Sequence, residues 1–277
     1  MIALLCLLTC IGARAQSDSL LLVFWNTENF FHYNTGYEPS RHWSRKRFEA
    51  KCNGIAKTLF AIADKYGRLP DAIGLAEIEN EAVLRSLVGL TPLRKAGYGI
   101  IHFDSPDSRG IDCALLYRKE RLSLQEAAPK HLYDSLGSII PTRDILLAQF
   151  DSVAILVNHH PSKISSGSPG RRNIAMHRMQ EICDSLSTPW IAVGDFNDDL
   201  WHHKDRSGTI KYNGKWEKID GCFHSGFRAI AEEVQDFPFL LEKDKSFGGL
   251  KPRRTYIGPR YNRGISDHLP IAVVLIF

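Results

Sequence analysis

The sequence is short of cysteine, has no strong excess of either charge and carries no long apolar run beyond its opening residues. Six cysteines in 277 residues, none in CxxC spacing, argue against a zinc knuckle and against a disulfide-stapled scaffold. Cys6 and Cys10 fall in the opening segment. Cys52, Cys113, Cys183 and Cys222 are read as buried free thiols, and any pairing among them would have three possible connectivities. Lys+Arg 35 against Asp+Glu 31 leaves a net charge of +4, too mild to mark a nucleic-acid binder by itself. There is no repeat, no low-complexity block, no glycine-rich dinucleotide loop and no Walker loop, so neither a dinucleotide nor a P-loop nucleotide is implied.

What is present is ordinary globular material. A hydrophobic share of 44% with 24% charged residues argues against a mainly disordered chain or a fibre. Residues 2–13 read IALLCLLTCIGA, followed by Ala13-Arg14-Ala15 and Gln16. The run is too short to span a bilayer, and small residues at Ala13 and Ala15 suit a signal peptidase. The expectation is a signal peptide over 1–15, cleaved after Ala15, and a single domain over 16–277 exported to the periplasm or beyond. The competing reading is a buried N-terminal strand. No other stretch is long and apolar enough for stable membrane insertion, and the mature chain is read as a monomer.

Periodicity then sets the elements. Residues 20–26 (LLLVFWN), 72–78 (AIGLAEI), 190–197 (WIAVGDFN) and 270–277 (PIAVVLIF) read as buried strands, whereas 98–103 with 111–118 and 145–151 with 153–160 read as strand pairs. Helical spacing of Phe48, Ile55, Leu59 and Ile62 predicts a helix over 44–66, and shorter helices follow over 80–90 and 171–186. The segment 162–170 is a loop, and 198–218 a loop or small hairpin. Antiparallel pairs interrupted by about three amphipathic helices suit two sheets with helices outside better than a doubly wound parallel sheet.

The informative pattern is where the strands stop. Asn26 and Glu28 end the first, Glu77 and Glu79 the second, Asn158 and His159 a third, Asp195 and Asn197 a fourth, and Asp267-His268 precede the last. One such residue is an ordinary turn-former or cap. Five endings of this kind, with Arg109, Lys163, Arg171 and Arg172 nearby in sequence, suggest polar groups converging on one rim. The inventory also suits a phosphate ester, a poor electrophile until a hard cation bound by oxygen ligands neutralises its charge. Glu77 is the leading metal ligand on that argument, with the Asn26 carboxamide nearby and Asp267 as a further carboxylate.

Seven stretches, FWNTENF (24–30), LAEIEN (75–80), SRGIDCALLY (108–117), VNHHPSK (157–163), VGDFND (193–198), KID (218–220) and SDHLP (266–270), occur in the order found in the endonuclease/exonuclease/phosphatase superfamily. The chain resembles its secreted bacterial members; the superfamily also includes DNase I, inositol-polyphosphate phosphatases and bacterial sphingomyelinases. The resemblance implies a four-layer α/β/β/α sandwich of the DNase I-like kind, with two mixed, mostly antiparallel sheets and outer helices. It also implies a divalent metal, Mg²⁺ first with Mn²⁺ or Ca²⁺ as alternatives, and hydrolysis of a phosphate ester by water. Carried over residue by residue, Asp195 orients or deprotonates that water and Asn197 helps to hold it. His159 and His268 donate to non-bridging oxygens, Asp220 partners His268, and Asn158 touches the phosphate, with Arg109, Arg171 and Arg172 as further phosphate contacts. One departure is His160, where related secreted members often carry an aromatic residue.

Three functions compete at this point: an exported phosphodiesterase or nuclease, a phosphomonoesterase or phospholipid- or inositol-phosphate-directed hydrolase, and a binding module that has kept the fold. Intact carboxylates, carboxamides and histidines at every matched position argue against the third. The basic segments 44–47, 169–172 and 250–254 could track a phosphate backbone, and Trp43, Trp201, Trp216 and Tyr256 could stack on bases. Export through the predicted leader places the mature N-terminus at Gln16, and N-terminal sequencing of the exported protein that recovered Met1 would refute it.

Overall fold

A computed structural model describes residues 19–34, 43–162, 168–200 and 208–277. The expected leader, Lys163 and Trp201 lie outside the described residues. In chain order the strands of the two main sheets begin with β1 (Ser19–Phe30), β2 (Ala72–Ile78), β3 (Tyr98–His102), β4 (Asp112–Arg118), β5 (Leu124–Lys130), β6 (Ile145–Phe150), β7 (Ala154–His159) and β8 (Trp190–Asp195). A ribbon of β9 (Ile210–Tyr212) and β10 (Lys215–Glu217) precedes β11 (Asp220–Ser225) and β12 (Ala229–Val234). Two further ribbons, β13 (Leu241–Lys243) with β14 (Leu250–Pro252) and β15 (Tyr256–Ile257) with β16 (Arg260–Tyr261), lead into β17 (Ile271–Ile276). Among the described residues the α-helices are α1 (Arg45–Tyr66), α2 (Glu81–Gly89) and α3 (Ser168–Asp184).

One sheet has six strands in the order β12-β17-β1-β2-β4-β3, and the other five in the order β11-β8-β7-β6-β5. Pairings within them are antiparallel except β1 with β2 and β7 with β8. Each parallel pair needs a crossover, and the crossovers are α1 and α3. Ser44 caps α1 by accepting from the Arg47 amide, and Gly67 ends it in the left-handed region at φ 73. Asn80 caps α2 through the Val83 amide at 3.1 Å.

The apolar alternation separates three cores and so four layers. Leu21, Val23 and Trp25 of β1 pack with Phe48, Ile55 and Leu59 of α1 and with Val83 and Leu87 of α2. The opposite face of β1, Leu20, Leu22 and Phe24, meets Ile155, Val157, Ile191 and Val193 across the sheet–sheet interface. Beyond the second sheet, Leu147, Ala154 and Leu156 pack on Ala175, Met179 and Ile182 of α3. Strands buried on both faces explain the unbroken apolar runs in the sequence. Gly74 sits between the sheets, where a Cβ would meet Phe24, Val157 and Val193 at 3.3 Å, so the close approach of the sheets rests on its missing side chain.

The four-layer sandwich is therefore the one expected, with the main strands and all three helices within a few residues of their predicted bounds. β5, β11 and β12 were not anticipated in full. β5 and β12 are edge strands, LQEAAPK and AIAEEV; such mixed polar sequences lack the apolar signal of a central strand. Cys52, Cys113 and Cys183 are buried, Cys222 is half-buried, and all four are free thiols.

Candidate active site

The carboxyl ends of the two parallel pairs share one rim, and both strands of the first pair are distorted there. Register shifts fall between Asn26 and Phe30 in β1 and between Ala76 and Ile78 in β2. Glu28, Asn29 and Glu77 take positive φ values of 50, 46 and 62 degrees, and Asn197 follows at 50 beyond β8. Bulges re-aim side chains, and left-handed non-glycine residues are held only where the surroundings over-determine them. Here the bulges turn Glu28 and Glu77 towards a cleft of about 560 Å³.

Nine of the twelve expected site residues line that cleft: Asn26, Glu77, Arg109, His159, Arg171, Asp195, Asn197, Asp267 and His268. Asp195 is at its centre. Its Oδ2 accepts from Asn26 Nδ2 at 3.0 Å, and its Oδ1 accepts from the Asn197 amide at 3.0 Å. His159 Nε2 and His268 Nε2 approach Asp195 Oδ2 to 3.7 and 3.9 Å. Burial, and then the neighbouring Asp220, push the Asp195 carboxyl up to about 7. A carboxyl poised near neutrality is suited to take a proton from water.

Asp220 lies behind the cleft and grips His268: Nδ1 and Asp220 Oδ2 are 2.8 Å apart. The buried imidazole would lose its proton to desolvation, but Asp220, by charge and hydrogen bond, and then Asp195 reverse this and hold its pKa well above the usual value. His268 is thus an imidazolium with Nε2 turned to the cleft. His159 differs, although the sequence suggested the same role for both. Among the described residues its Nδ1 has no hydrogen-bond partner, and burial followed by Arg143 and Arg109 keeps it neutral. A neutral imidazole can still donate one hydrogen bond, from whichever nitrogen carries the proton.

Glu77 Oε2 accepts from the Asn29 amide at 2.6 Å and lies 3.5 Å from Arg109 Nη2, while Oε1 is 4.0 Å from His159 Nε2. The oxygen-rich donors of Glu77, Asn26 and Asp195 in one cleft fit a hard divalent cation. Asp267 lines the same cleft, and its Oδ2 accepts from Arg254 Nη2 at 2.9 Å. Asp195, Asp220 and His268 also form a compact cluster of potential ligand atoms, but His268 Nδ1 is committed to Asp220 and its charge opposes a cation.

Three expected contacts depart from the cleft lining. Asp220 acts through His268 from behind. Asn158 donates from Nδ2 to the Val193 carbonyl at 3.2 Å, because neighbours on a strand face opposite ways and His159 takes the cleft side. The Asn158 side chain, for which the resemblance implied a phosphate contact, is thus bound within the second sheet and is not among the lining residues of the cleft. Arg172 is half-buried beside Arg171, which alone of the two lines the cleft; successive helical residues point about 100° apart.

Other contacts around the cleft were not anticipated. Arg143 donates to the carbonyls of His159 at 3.2 Å and His160 at 2.7 Å and pairs with Asp107 at 3.0 Å, tying the Arg109 loop to the end of β7. Glu28 Oε1 and Oε2 accept from Arg254 Nε and the Thr255 amide, at 2.9 and 2.7 Å. Lys51, buried in α1, donates to the Glu28 carbonyl at 2.5 Å and fixes that bend from below. Glu28 was already conspicuous as a strand ending, but no local signal in the sequence separates Arg143 and Lys51 from surface charges. His160 stands edge-on to Phe196 at 5.1 Å, with burial holding its pKa down at about 3. It packs as a neutral ring where an aromatic residue was expected.

A family model described as the Endonuclease/Exonuclease/phosphatase family matches residues 22–207. The chain belongs to this family. Members of the superfamily are metal-dependent phosphoester hydrolases. Among solved structures, truncated Caenorhabditis elegans TDP2 is similar at 15% identity and a TM-score of 0.60, covering 94% of this chain and 98% of that one. A Bacteroides thetaiotaomicron mannosyl-6-phosphatase is 16% identical with a TM-score of 0.58, over 93% of this chain and 100% of that one. The catalytic domain of human Nocturnin, crystallised with bound sulfate, is 16% identical with a TM-score of 0.55, over 94% of each chain. These likenesses establish the shared fold. No curated protein sequence matches significantly.

Two outcomes follow from this geometry. Glu77→Gln removes one negative charge without changing size, so Mg²⁺ or Mn²⁺ binding by calorimetry should weaken and turnover should fall roughly 100-fold or more; wild-type values for both would move the metal site elsewhere. His268 keeps its charge below its raised pKa and loses it as pH rises through that value, so the alkaline limb of the rate profile should lie well above pH 6.5. Asp220→Asn should shift that limb towards acid, and His268→Ala should cost about 10²–10⁴-fold. The double variant should be scarcely slower than His268→Ala, because residues that act as a unit are not additive.

Proposed function

We propose that this member of the family is an exported, metal-dependent phosphodiesterase that cleaves P–O bonds by in-line attack of water. The observation that carries the reading is the placement of Asp195, a carboxylate poised near neutrality, between His159 and the His268 imidazolium in one cleft with Glu77. A divalent cation held by Glu77 and Asn26 would supply charge neutralisation at the non-bridging oxygens. Asp195 takes the proton of the attacking water while Asn197, hydrogen-bonded to it and to the His160 carbonyl, keeps its orientation fixed. His268 donates from Nε2 to a non-bridging oxygen, and as an acid it can also protonate the departing alkoxide. His159 donates to the phosphate without adding charge. Burial of Asp195, His159 and His268 strengthens these contacts.

The choice of a diester rests on charge. Four arginines line the cleft, Arg109, Arg143, Arg171 and Arg254, and their number favours a second reading, a phosphomonoester such as a sugar phosphate. Yet Arg109, Arg143 and Arg254 are each near a carboxylate, Glu77, Asp107, and Glu28 with Asp267 respectively. Less positive charge is left for a dianion than the count suggests. Export rests on residues 2–13 and the Ala13-Arg14-Ala15 site. Among the described residues no helix is long and apolar enough to cross a membrane.

Turnover of bis-p-nitrophenyl phosphate, p-nitrophenyl phosphate, DNA and RNA by protein beginning at Gln16, with Mg²⁺ or Mn²⁺, should favour the diesters by at least about tenfold in kcat/KM. A preference for p-nitrophenyl phosphate would instead select the monoester reading.

A further inference from the structure

A second cavity of about 200 Å³ adjoins the catalytic cleft, and the mechanism above makes no use of it. Glu28 and Asn29 line both spaces. The partition is thus the left-handed pair at the β1 bulge, a strained backbone held by Lys51 from below and by Arg254 and Thr255 from the side. On the catalytic side, the Asn29 backbone amide donates to Glu77 and its Oδ1 accepts from Arg109 Nη2. On the other side the walls are rings: Phe31, Trp43 and Tyr256. Trp43 meets Tyr256 edge-on, with centroids 5.5 Å apart and planes at 81°. Tyr261 backs Tyr256 at 5.5 Å, and the Arg47 guanidinium sits 4.9 Å over Tyr261.

An aromatic cavity one partition away from the reacting phosphorus suits the group esterified to that phosphorus. Its size admits one ring system; Phe31 and Trp43 line it as nearly buried rings, Tyr256 is the half-buried ring of the lining, and Glu28 and Asn29 supply its polar side. Nucleobases stack on such walls in a sequence-tolerant way. We propose that this cavity is a subsite for the base of a nucleoside whose phosphate occupies the catalytic cleft, with Tyr256 as its principal stacking wall. The assignment rests on the phosphodiesterase reading and adds its substrate class.

The test compares thymidine 5′-(p-nitrophenyl phosphate) with methyl p-nitrophenyl phosphate, which share a leaving group and differ in the nucleoside. Tyr256→Leu should lower kcat/KM for the thymidine ester about ten- to a hundredfold, mainly through KM, with a much smaller loss on the methyl ester. Tyr256→Trp should restore most of it, which a merely structural defect would not allow. Calorimetric titration with thymidine 5′-phosphate should give the same order of affinities without turnover. Equal losses on the two esters, or unchanged thymidine 5′-phosphate binding by Tyr256→Leu, overturn the subsite. Tighter Tyr256-dependent binding of mannose 6-phosphate overturns the nucleoside in favour of a sugar ring. If the wild type cleaves neither ester, the phosphodiesterase reading fails separately, and the titration alone then decides whether the cavity takes a base.

Discussion

At one end of the sandwich the two sheets are joined by polar side chains instead of apolar ones. Asn26 of the first sheet donates to Asp195 of the second, and His268, just before β17, is bound to Asp220 at the start of β11. Asp195 and Asp220 are themselves register partners in β8 and β11. Two carboxylates so close, and buried, are costly unless a positive group lies between the sheets. The His268 imidazolium is that group. The same clasp holds the sheet ends together and positions the acid and base of the site, so the site cannot be loosened without exposing buried charge.

The apolar interface behind the clasp fixes its geometry. Gly74 permits the sheets to approach between Phe24 and Val193, and Gly194 allows Asn158 to press against β8, where a Cβ would stand 2.6 Å from Asn158 Cβ. Tight packing leaves the strand ends little freedom, as catalytic positioning demands. The strain is concentrated at Glu28, Asn29 and Glu77. Arg143, Lys51 and Arg254 hold the surrounding turns through carbonyl and carboxylate contacts, the first two from buried positions and Arg254 from the surface.

Much of this was legible because polar residues ending apolar strands are conspicuous. Asn26, Glu77, His159, Asp195, Asn197 and His268 all follow or precede runs too apolar to end there by chance, and all line the cleft. The departures from the cleft lining came from direction. Asn158 lies beside His159 in sequence but on the opposite face of β7, and Arg172 turns away from the cleft that Arg171 lines. Arg143 and Lys51 left no trace, since an isolated cation in a mixed segment reads as a solvated surface charge. Asp267 sits in the expected place, but its pairing with Arg254 depends on a ribbon whose short strands carry no periodic signal.

The sequence by itself determined the layers, because apolar alternation and helical spacing follow from local geometry, and it determined which residue types gather at the strand ends. Only the tertiary structure decided their ionisation. Asp195, His159 and His268 have ordinary carboxyl and imidazole groups in the chain; burial and distances of 3–4 Å make one a near-neutral carboxyl, one a neutral ring and one an imidazolium. Coulombic and desolvation energies depend on separations that no sequence pattern encodes. The aromatic cavity beside Glu28 is likewise a product of folding: Phe31, Trp43 and Tyr256 come from distant parts of the chain and meet because the β1 bulge and the α1 crossover bring them to one wall.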